Sequence, residues 1–312
     1  MIVTVTPNAV LDIWYEVERL TGGEVHFVRR MWARAGGKGV NVTSVLTAMG
    51  HLSLAAGFAG GSAGQSILAD LADRGVPHLF TDVRDSSRRI VTVSPDDGAL
   101  TRFAEPGPMV STLEWEQLKG TIEPLILGPA TALVVSGRMP LGSASDACVG
   151  IMSLARAHGV ATIVDAGGVA LIAAADAAVD VVKPTLAELR AATGRQGAVE
   201  GARELQRIGA GAVIVILGAQ GVLLVPEDGP MLRAWLPRQE AGDALGAGDA
   251  LAAAVATGLT RDPWDELVRR GVAWAGAAVR AARPGDIDPA DVAVLGPLVE
   301  VEEFTGHELD LR

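Results

Sequence analysis

A glycine-rich turn that leads into an alanine-rich stretch, Ala241–Ala254, carries the residues best suited to chemistry. Gly246 and Gly248 can take backbone conformations that a Cβ forbids, so successive N–H groups can point at one anion at a helix start. Asp249 falls in the first helical turn, where the helix dipole stabilises a carboxylate that can accept a proton from an attacking hydroxyl. The pattern favours phosphoryl transfer. One alternative stays open, a glycine that ends one element and an aspartate that caps the next helix.

A second glycine-rich segment, Ala35–Val42, also leads into a predicted helix. Its spacing fits neither a Walker A loop, because no Ser or Thr follows the lysine, nor a dinucleotide fingerprint. What remains is a flexible turn that presents Lys38 and Asn41, which suit a phosphate and sugar hydroxyls. An ordinary helix-initiating turn is the alternative.

Three further segments end predicted strands, where open α/β sheets bind ligands. Ser136–Gly142 contains Arg138, Lys183–Glu188 opens a helix, and Leu217–Gly221 joins two hydrophobic strands. Glu188 falls on a first helical turn, where it suits either a hydrated Mg²⁺ or a helix cap. Asp12 lies on a predicted edge strand, where an acid also serves to discourage strand pairing.

Composition excludes several classes of function. The 312 residues carry a formal net charge of −11. This charge argues against nucleic-acid binding, because contacts to a phosphate backbone need clustered Lys and Arg. The apolar runs are too short for a membrane span, and the first residues lack a basic leader, so we expect a cytoplasmic protein with no membrane partner. The single cysteine, Cys148, allows no internal disulfide.

Short β-branched runs alternate with longer Ala/Leu-rich segments along most of the chain. This alternation predicts an α/β fold with a mostly parallel sheet sandwiched by helices, in one domain over residues 1–312. Strands are predicted at Ile2–Thr6, Leu52–Ala59, Thr131–Ser136, Ala161–Asp165, Val179–Lys183 and Ala212–Leu217. Helices are predicted at Gly39–Met49, Gly64–Arg74, Thr112–Leu127, Ser143–His158, Leu186–Ala192, Val199–Ile208 and onward from Gly248.

Two segments break this alternation, at about residues 11–31 and 88–104. Each shows partial strand alternation around a turn signal, Thr21-Gly-Gly in the first and Pro95-Asp-Asp-Gly in the second. Together they predict a small separate sheet that serves as a lid, with Trp14, Phe27 and Val93 available to pair with the lid of a second subunit. Simple edge hairpins are the alternative.

The order of these motifs resembles that of the PfkB family of ribokinase-like sugar kinases, and within it the branch of 1-phosphofructokinase and tagatose-6-phosphate kinase. The resemblance covers about 250 residues and rests on six stretches in register: Thr4–Asn8 with Leu11-Asp12, Ala35–Val42, Ala104–Pro108, Ser136-Gly with Pro140, Lys183-Pro184 with Glu188-Leu189, and Leu245–Asp249.

The resemblance implies a role for each matching position. Asp249 would be the catalytic base, and the backbone amides of Ala247, Gly248 and Asp249, in the catalytic turn that begins at Gly246, would supply the anion hole. The sugar side would consist of Asp12, Gly37, Lys38, Asn41, Arg88, Ser136 and Arg138, with Lys38 and Arg88 on the phosphate that the sugar already carries. The nucleotide side would consist of Lys183, Thr185, Gly218 and Gly221, with Glu188 holding Mg²⁺ through water.

Several positions depart from the family pattern. Thr185 stands where the metal-side motif has Asn, and Ile216 replaces a hydroxyl residue in the nucleotide loop. Ile90 and Arg138 stand at positions near the sugar where this branch has Asn and Ser, and Asp165–Gly168 replaces an Asp-x-Ser-Gly run. The exact sugar is therefore open.

The sequence thus predicts an ATP- and Mg²⁺-dependent kinase of a phosphorylated ketohexose that forms a homodimer through its lid. Two alternatives stay open: a kinase of an unphosphorylated sugar or nucleoside, and a regulatory protein that binds sugar phosphates on the kinase scaffold.

Overall fold

A ten-stranded sheet forms the centre of the chain in the computed structural model, which describes residues 1–144 and 146–306. The strands, including those of a second sheet, are β1 Ile2–Thr6, β2 Val10–Val17, β3 Arg30–Gly36, β4 Ser53–Ala59, β5 His78–Asp82, β6 Arg88–Pro95, β7 Thr101–Ala104, β8 Ala132–Ser136, β9 Ala161–Asp165, β10 Val181–Val182, β11 Ala212–Ile216, β12 Val222–Val225, β13 Leu232–Trp235 and β14 Glu300–Glu303. The α-helices are α1 Lys38–Ala48, α2 Gly61–Asp73, α3 Thr112–Ile126, α4 Val149–Ala157, α5 Val169–Asp176, α6 Leu186–Thr193, α7 Ala198–Ile208, α8 Ala247–Ala256, α9 Trp264–Arg280 and α10 Pro289–Leu295.

The order of the main sheet is β14-β13-β12-β11-β10-β9-β8-β1-β4-β5. Strands from β11 to β5 in this order pair in parallel, while β12, β13 and β14 add an antiparallel edge. The predicted α/β fold with a mostly parallel sheet is confirmed. Parallel strands point the same way, so their carboxyl ends meet along one edge of the sheet. This edge is formed by the ends of β1, β8, β9, β10 and β11.

Helices cover both faces of this sheet. One core cluster contains buried side chains of α3, α4, α5 and α7, including Leu118, Ile151 and Leu205. The other contains side chains of α1, α8 and α9, including Leu46. Coverage on both faces explains why β8 and β9 are mostly apolar and buried at every residue, without alternation. This packing fixes the N-termini of α1 and α8 at the same edge of the sheet.

A separate four-stranded sheet, of order β3-β2-β6-β7, lies outside the main one. We call it the lid, and its presence confirms the predicted small sheet. The strand predicted after the Thr21-Gly-Gly turn, from the partial alternation of residues 24–30, is misplaced because the strand runs over Arg30–Gly36 instead. In the observed register Trp14 lies opposite Trp32, and the two indole rings stack at 5.2 Å. This aromatic cross-strand pair favours the later register.

One helix and two other strands differ from the sequence predictions. The helix expected from Ser143 begins only at Val149, where Ile151 and Met152 can be buried. The strand expected over Val179–Lys183 is reduced to two residues. The edge strand β14 escapes prediction because its sequence, Glu-Val-Glu-Glu, is mostly charged.

Within the described residues, no helix is long and apolar enough to cross a membrane.

Candidate active site

A cavity of about 760 Å³ lies between the lid and the strand ends of the main sheet. Its floor is formed by the turn before α8 and the start of α1. The predicted site residues on its wall are Asp12, Gly37, Lys38, Asn41, Arg88, Lys183, Thr185, Gly218, Gly221, Gly246, Ala247, Gly248 and Asp249. Asp165 also lies on this wall, although the sequence analysis gave it no role.

The turn before α8 has the shape of an anion cradle. Gly246 is in the left-handed region, with φ of 91°, and α8 begins at the next residue, Ala247. A Cβ on Gly248 would lie 3.2 Å from the Nζ of Lys183. Glycine at this position therefore leaves the first turn of the helix open beside a positive charge, as anion binding requires.

Asp249 is buried on the first turn of α8. The Nδ2 of Asn41 donates a hydrogen bond to its Oδ2 over 2.8 Å. Burial, and then the charge of Asp165, raise the pKa of Asp249 to about 7, against the opposing effects of Asn41, Lys183 and Lys38. A carboxyl with a pKa near neutrality is well matched to general-base catalysis.

Asp165 ends β9 and holds two lysines. The Nζ of Lys38 donates to its Oδ1 over 2.9 Å, and the Nζ of Lys183 lies 3.0 Å from its Oδ2. Burial by itself would raise the pKa of Asp165, but the two ammonium groups outweigh it and hold that pKa below its ordinary value. The available sequence signal was an acid at the end of a buried strand.

Glu188 caps a helix with one carboxylate oxygen and keeps the other outside that cap. Its Oε2 accepts hydrogen bonds from the backbone N and the Oγ1 of Thr185, while the Thr185 hydroxyl accepts from the backbone N of Glu188. This capping box starts α6. The other carboxylate oxygen, Oε1, lies 4.0 Å from the Nζ of Lys38. One oxygen thus fixes the side chain, and the second is directed towards Lys38.

The inner face of the lid forms the opposite wall of the cavity. Strand register places these cavity-lining residues on that face: Asp12, Trp14, Trp32, Arg34, Arg88, Ile90, Thr92 and Arg102. Burial raises the pKa of Asp12 to about 6, although Arg88, Arg102 and Arg34 oppose the shift. A Cβ on Gly36 would collide with the Asp12 carboxylate, so glycine makes room for this side chain.

Arg88 lies at the base of the lid beside Asp12. Its Nε donates to the backbone oxygen of Asn8 over 3.2 Å, and burial lowers its pKa against the effect of Asp12. Arg138 is exposed and close enough to lower the pKa of Arg88 further. Ser136 is fully buried, and neither it nor Arg138 lies on the cavity wall. The structure therefore does not bring these two residues into the site directly.

The far end of the cavity is mostly apolar. Gly218 and Gly221 turn the chain there with φ of 62° and 85°, next to Ile216 at the end of β11. The remaining wall includes Leu236, Val222, Leu251, Val272, Ala275, Gly276 and Val279. An apolar slot that opens onto an anion cradle has the shape and chemistry needed for a nucleoside with its phosphates.

Within the described residues, no three or more His, Cys, Asp or Glu side chains form a cluster that could hold a metal ion by themselves.

The family of the chain follows from comparisons with known proteins. The sequence profile of the pfkB family carbohydrate kinases matches residues 4–291. The chain belongs to the PfkB family. It is therefore an ATP-dependent carbohydrate kinase, and the predicted family is confirmed.

Among relatives, the 1-phosphofructokinase of Haloferax volcanii is 35% identical over 310 residues, which cover 96% of this chain and 98% of that protein. A tagatose-6-phosphate kinase of Staphylococcus epidermidis is 28% identical and covers 85% of this chain and 87% of its own. The tetrameric inhibited form of phosphofructokinase-2 from Escherichia coli superposes with a TM-score of 0.85 at 28% identity, covering 95% of this chain and 98% of the other.

Replacing Asp165 by Asn should lower the pKa of Asp249. The negative charge of Asp165 raises that pKa, and a neutral side chain would leave Lys38 and Lys183 without their counter-charge. A ¹³C NMR titration of the aspartate carboxyls measures the shift, with Asp249→Asn to assign the resonance. The exposed Asp73→Asn is the control and should change nothing. An unchanged or higher pKa in Asp165→Asn would contradict the electrostatic account of the site.

Proposed function

We propose that this kinase transfers the γ-phosphoryl group of ATP to a hydroxyl of a phosphorylated ketohexose. The observation that carries the proposal is the position of Asp249. Its buried carboxylate lies at a helix N-terminus, between an apolar slot suited to a nucleoside and a lid face suited to a sugar. The acceptor hydroxyl would lie against this carboxylate, and the transferring phosphoryl group would lie against the backbone N–H groups of Gly246–Gly248.

Asp249 acts as the general base in this proposal. Its pKa of about 7 allows it to hold a proton that it takes from the acceptor hydroxyl and later release it to water. Asn41 keeps the carboxylate oriented through its hydrogen bond. The N-terminus of α8 and the Lys183 ammonium stabilise the negative charge that develops on the phosphoryl oxygens.

For Lys38 we propose a contact other than the one that the family resemblance implies. Its ammonium is bound to Asp165 and directed towards Glu188, which is the side of the cavity next to the anion cradle. We assign it to the phosphoryl group in transfer. Arg88, next to Asp12 on the lid side, then supplies the contact to the phosphate already on the sugar.

Mg²⁺ fits the donor set at Glu188. The ion binds proteins through one or two carboxylates and takes its other ligands from water and substrate phosphates. Glu188 offers one carboxylate oxygen outside its capping box. When bound there, the ion would neutralise charge on the phosphates of ATP, while Thr185 keeps the Glu188 side chain in place.

A homodimer through the lid is part of the proposal. Several apolar side chains on the lid and its connecting loop are largely exposed, with Phe27 at 87%, Val25 at 84%, Met31 at 60% and Phe103 at 59%. Exposed apolar surface of this kind is typical of interaction sites. Trp14 packs on Trp32 within the lid, so the predicted dimer contact rests on Phe27 and its neighbours.

Asp249→Asn should lower kcat by roughly 10²–10⁴-fold, the usual scale of general-base catalysis. It should also raise Tm at pH 8. The folded-state pKa of about 7 exceeds the ordinary value of 3.8, so the group favours folding at low pH and this contribution is lost as pH rises to about 7. The gap in Tm should therefore shrink from pH 7 towards pH 4. Turnover close to that of the wild type would exclude Asp249 as the base.

Arg88→Met and Lys38→Met should separate the two phosphate contacts. A charge-assisted hydrogen bond to phosphate contributes ~1.5–3 kcal/mol, so Arg88→Met should reduce the preference for phosphorylated over free sugars by about 10-fold to 100-fold. Lys38→Met should lower kcat for every acceptor alike. A coupled ADP-release screen over sugars and sugar phosphates measures both effects. A wild type that phosphorylates a free sugar or nucleoside as well as any sugar phosphate would overturn the proposed substrate class, and absence of turnover would favour the regulatory protein.

Glu188→Gln should raise the Mg²⁺ concentration needed for half-maximal rate by about tenfold or more, by analogy with the loss of groups that support metal sites. The amide oxygen of Gln can still accept the capping hydrogen bonds from Thr185, so Tm should change little. Thr185→Val is the matched variant that removes the capping hydroxyl and keeps Glu188. A Mg²⁺ titration that is unchanged in Glu188→Gln would leave this residue with a capping role alone.

A further inference from the structure

A partly buried ion pair joins the lid to the loop after α9. Arg34 lies on the inner face of β3, and its guanidinium donates to both carboxylate oxygens of Asp286, with Nη1 to Oδ2 at 2.9 Å. The side chain of Arg34 is only 9% exposed, and that of Asp286 is 44% exposed. The partners are 252 residues apart in the sequence, so the pair connects parts of the fold that no local element holds together.

On the lid side, Arg34 stands next to Asp12 in the strand register. It is close enough to lower the pKa of the Asp12 carboxyl. Its Nε is buried and has no hydrogen-bond partner within the part of the chain that the structure describes. Arg34 thus faces Asp12 from a position that its hydrogen bonds to Asp286 fix.

On the other side, Asp286 follows Gly285, which packs against Asn41 on α1. A Cβ on Gly285 would lie 3.1 Å from the Oδ1 and 3.3 Å from the Cα of Asn41. The backbone of this loop therefore packs directly on Asn41, which donates its hydrogen bond to Asp249. A shift of the loop would displace the residue that orients the carboxylate of Asp249.

Stability gives little reason for this pair. Burying the Arg34 guanidinium has a free-energy cost that its attraction to Asp286 offsets, and an ion pair with a solvent-exposed partner contributes little to stability. The lid base also has a separate attachment, since the backbone N of Ala35 donates to the Oδ2 of Asp70 on α2 over 2.9 Å. The Arg34–Asp286 pair is thus better suited to fixing a position than to holding the lid on the molecule.

We propose that Arg34 and Asp286 are positioning residues that couple Asp12 on the lid to the Asn41–Asp249 pair, so that the lid must be in place before Asp249 is correctly oriented. The inference rests on the proposed function of Asp12 and Asp249. Two further contacts join the lid to the loops next to α8 and α9. The guanidinium of Arg283 stacks over the Trp32 ring at 4.7 Å, and Arg102 lies 3.6 Å from Asp243.

The experiment compares Arg34→Met, Asp286→Asn and the double variant with the wild type. Each single variant should lower kcat and raise the sugar KM, so that kcat/KM falls by about 10²-fold in each. This is the scale expected from a displacement of about 1 Å at the reacting groups. The double variant should be no worse than either single variant, because the two residues act as a unit. Arg34→Lys keeps the charge and should recover part of the loss.

Asp262→Asn is the matched control. The Arg270–Asp262 pair has the same chemistry and similar partial burial but does not line the cavity, so its loss should change Tm and leave kcat and KM as in the wild type. If Arg34→Met and Asp286→Asn behave like this control, the positioning role is wrong. Additive losses in the double variant would also overturn it. A wild type inactive on every sugar phosphate and free sugar would instead refute the proposed function, which the wild-type screen reveals before any variant is compared.

Discussion

The site depends on negative charge that is kept away from water. Asp165 and Asp249 are both buried beside one cavity, and a buried carboxylate is stable only where positive charge or hydrogen bonds compensate it. Lys38 and Lys183 compensate Asp165 directly. Asp249 receives one hydrogen bond from Asn41, and the two lysines lower its pKa less than burial and Asp165 raise it, so Asp249 keeps its proton up to a pH near its pKa of about 7. Burial, the charge of Asp165 and the unequal sharing of the two lysines together bring the pKa of this base near neutral pH.

This arrangement also explains how an acidic protein can bind two anionic substrates. With a net charge of −11, the chain gains no long-range attraction for phosphates. The positive groups that matter are local: the ammonium of Lys183 behind the α8 N-terminus, that of Lys38 beside it, and the guanidinium of Arg88 across the cavity. Binding under these conditions relies on short contacts, which makes the geometry of the cavity wall decisive.

Much of the fold was predictable because its signals are local. The βαβ alternation gave the parallel sheet, and the two glycine-rich turns gave the starts of α1 and α8 together with Asp249, Lys38 and Asn41. The role of Asp165 was not predictable, since it depends on lysines 127 and 18 residues away in the sequence reaching one carboxylate. The position of β3 was predicted wrongly for a similar reason. A partial alternation in residues 24–30 competed with a stack of Trp14 on Trp32 that only the folded sheet contains.

The connectivity of the lid has a consequence for the order in which the molecule folds. β2 and β3 follow each other and can pair as a local hairpin, but β2 also pairs in parallel with β6, which enters the sheet only after α1, β4, α2 and β5 have been traversed. Closing so long a loop is unfavourable until the intervening elements are packed. The lid is therefore completed after that half of the main sheet has packed.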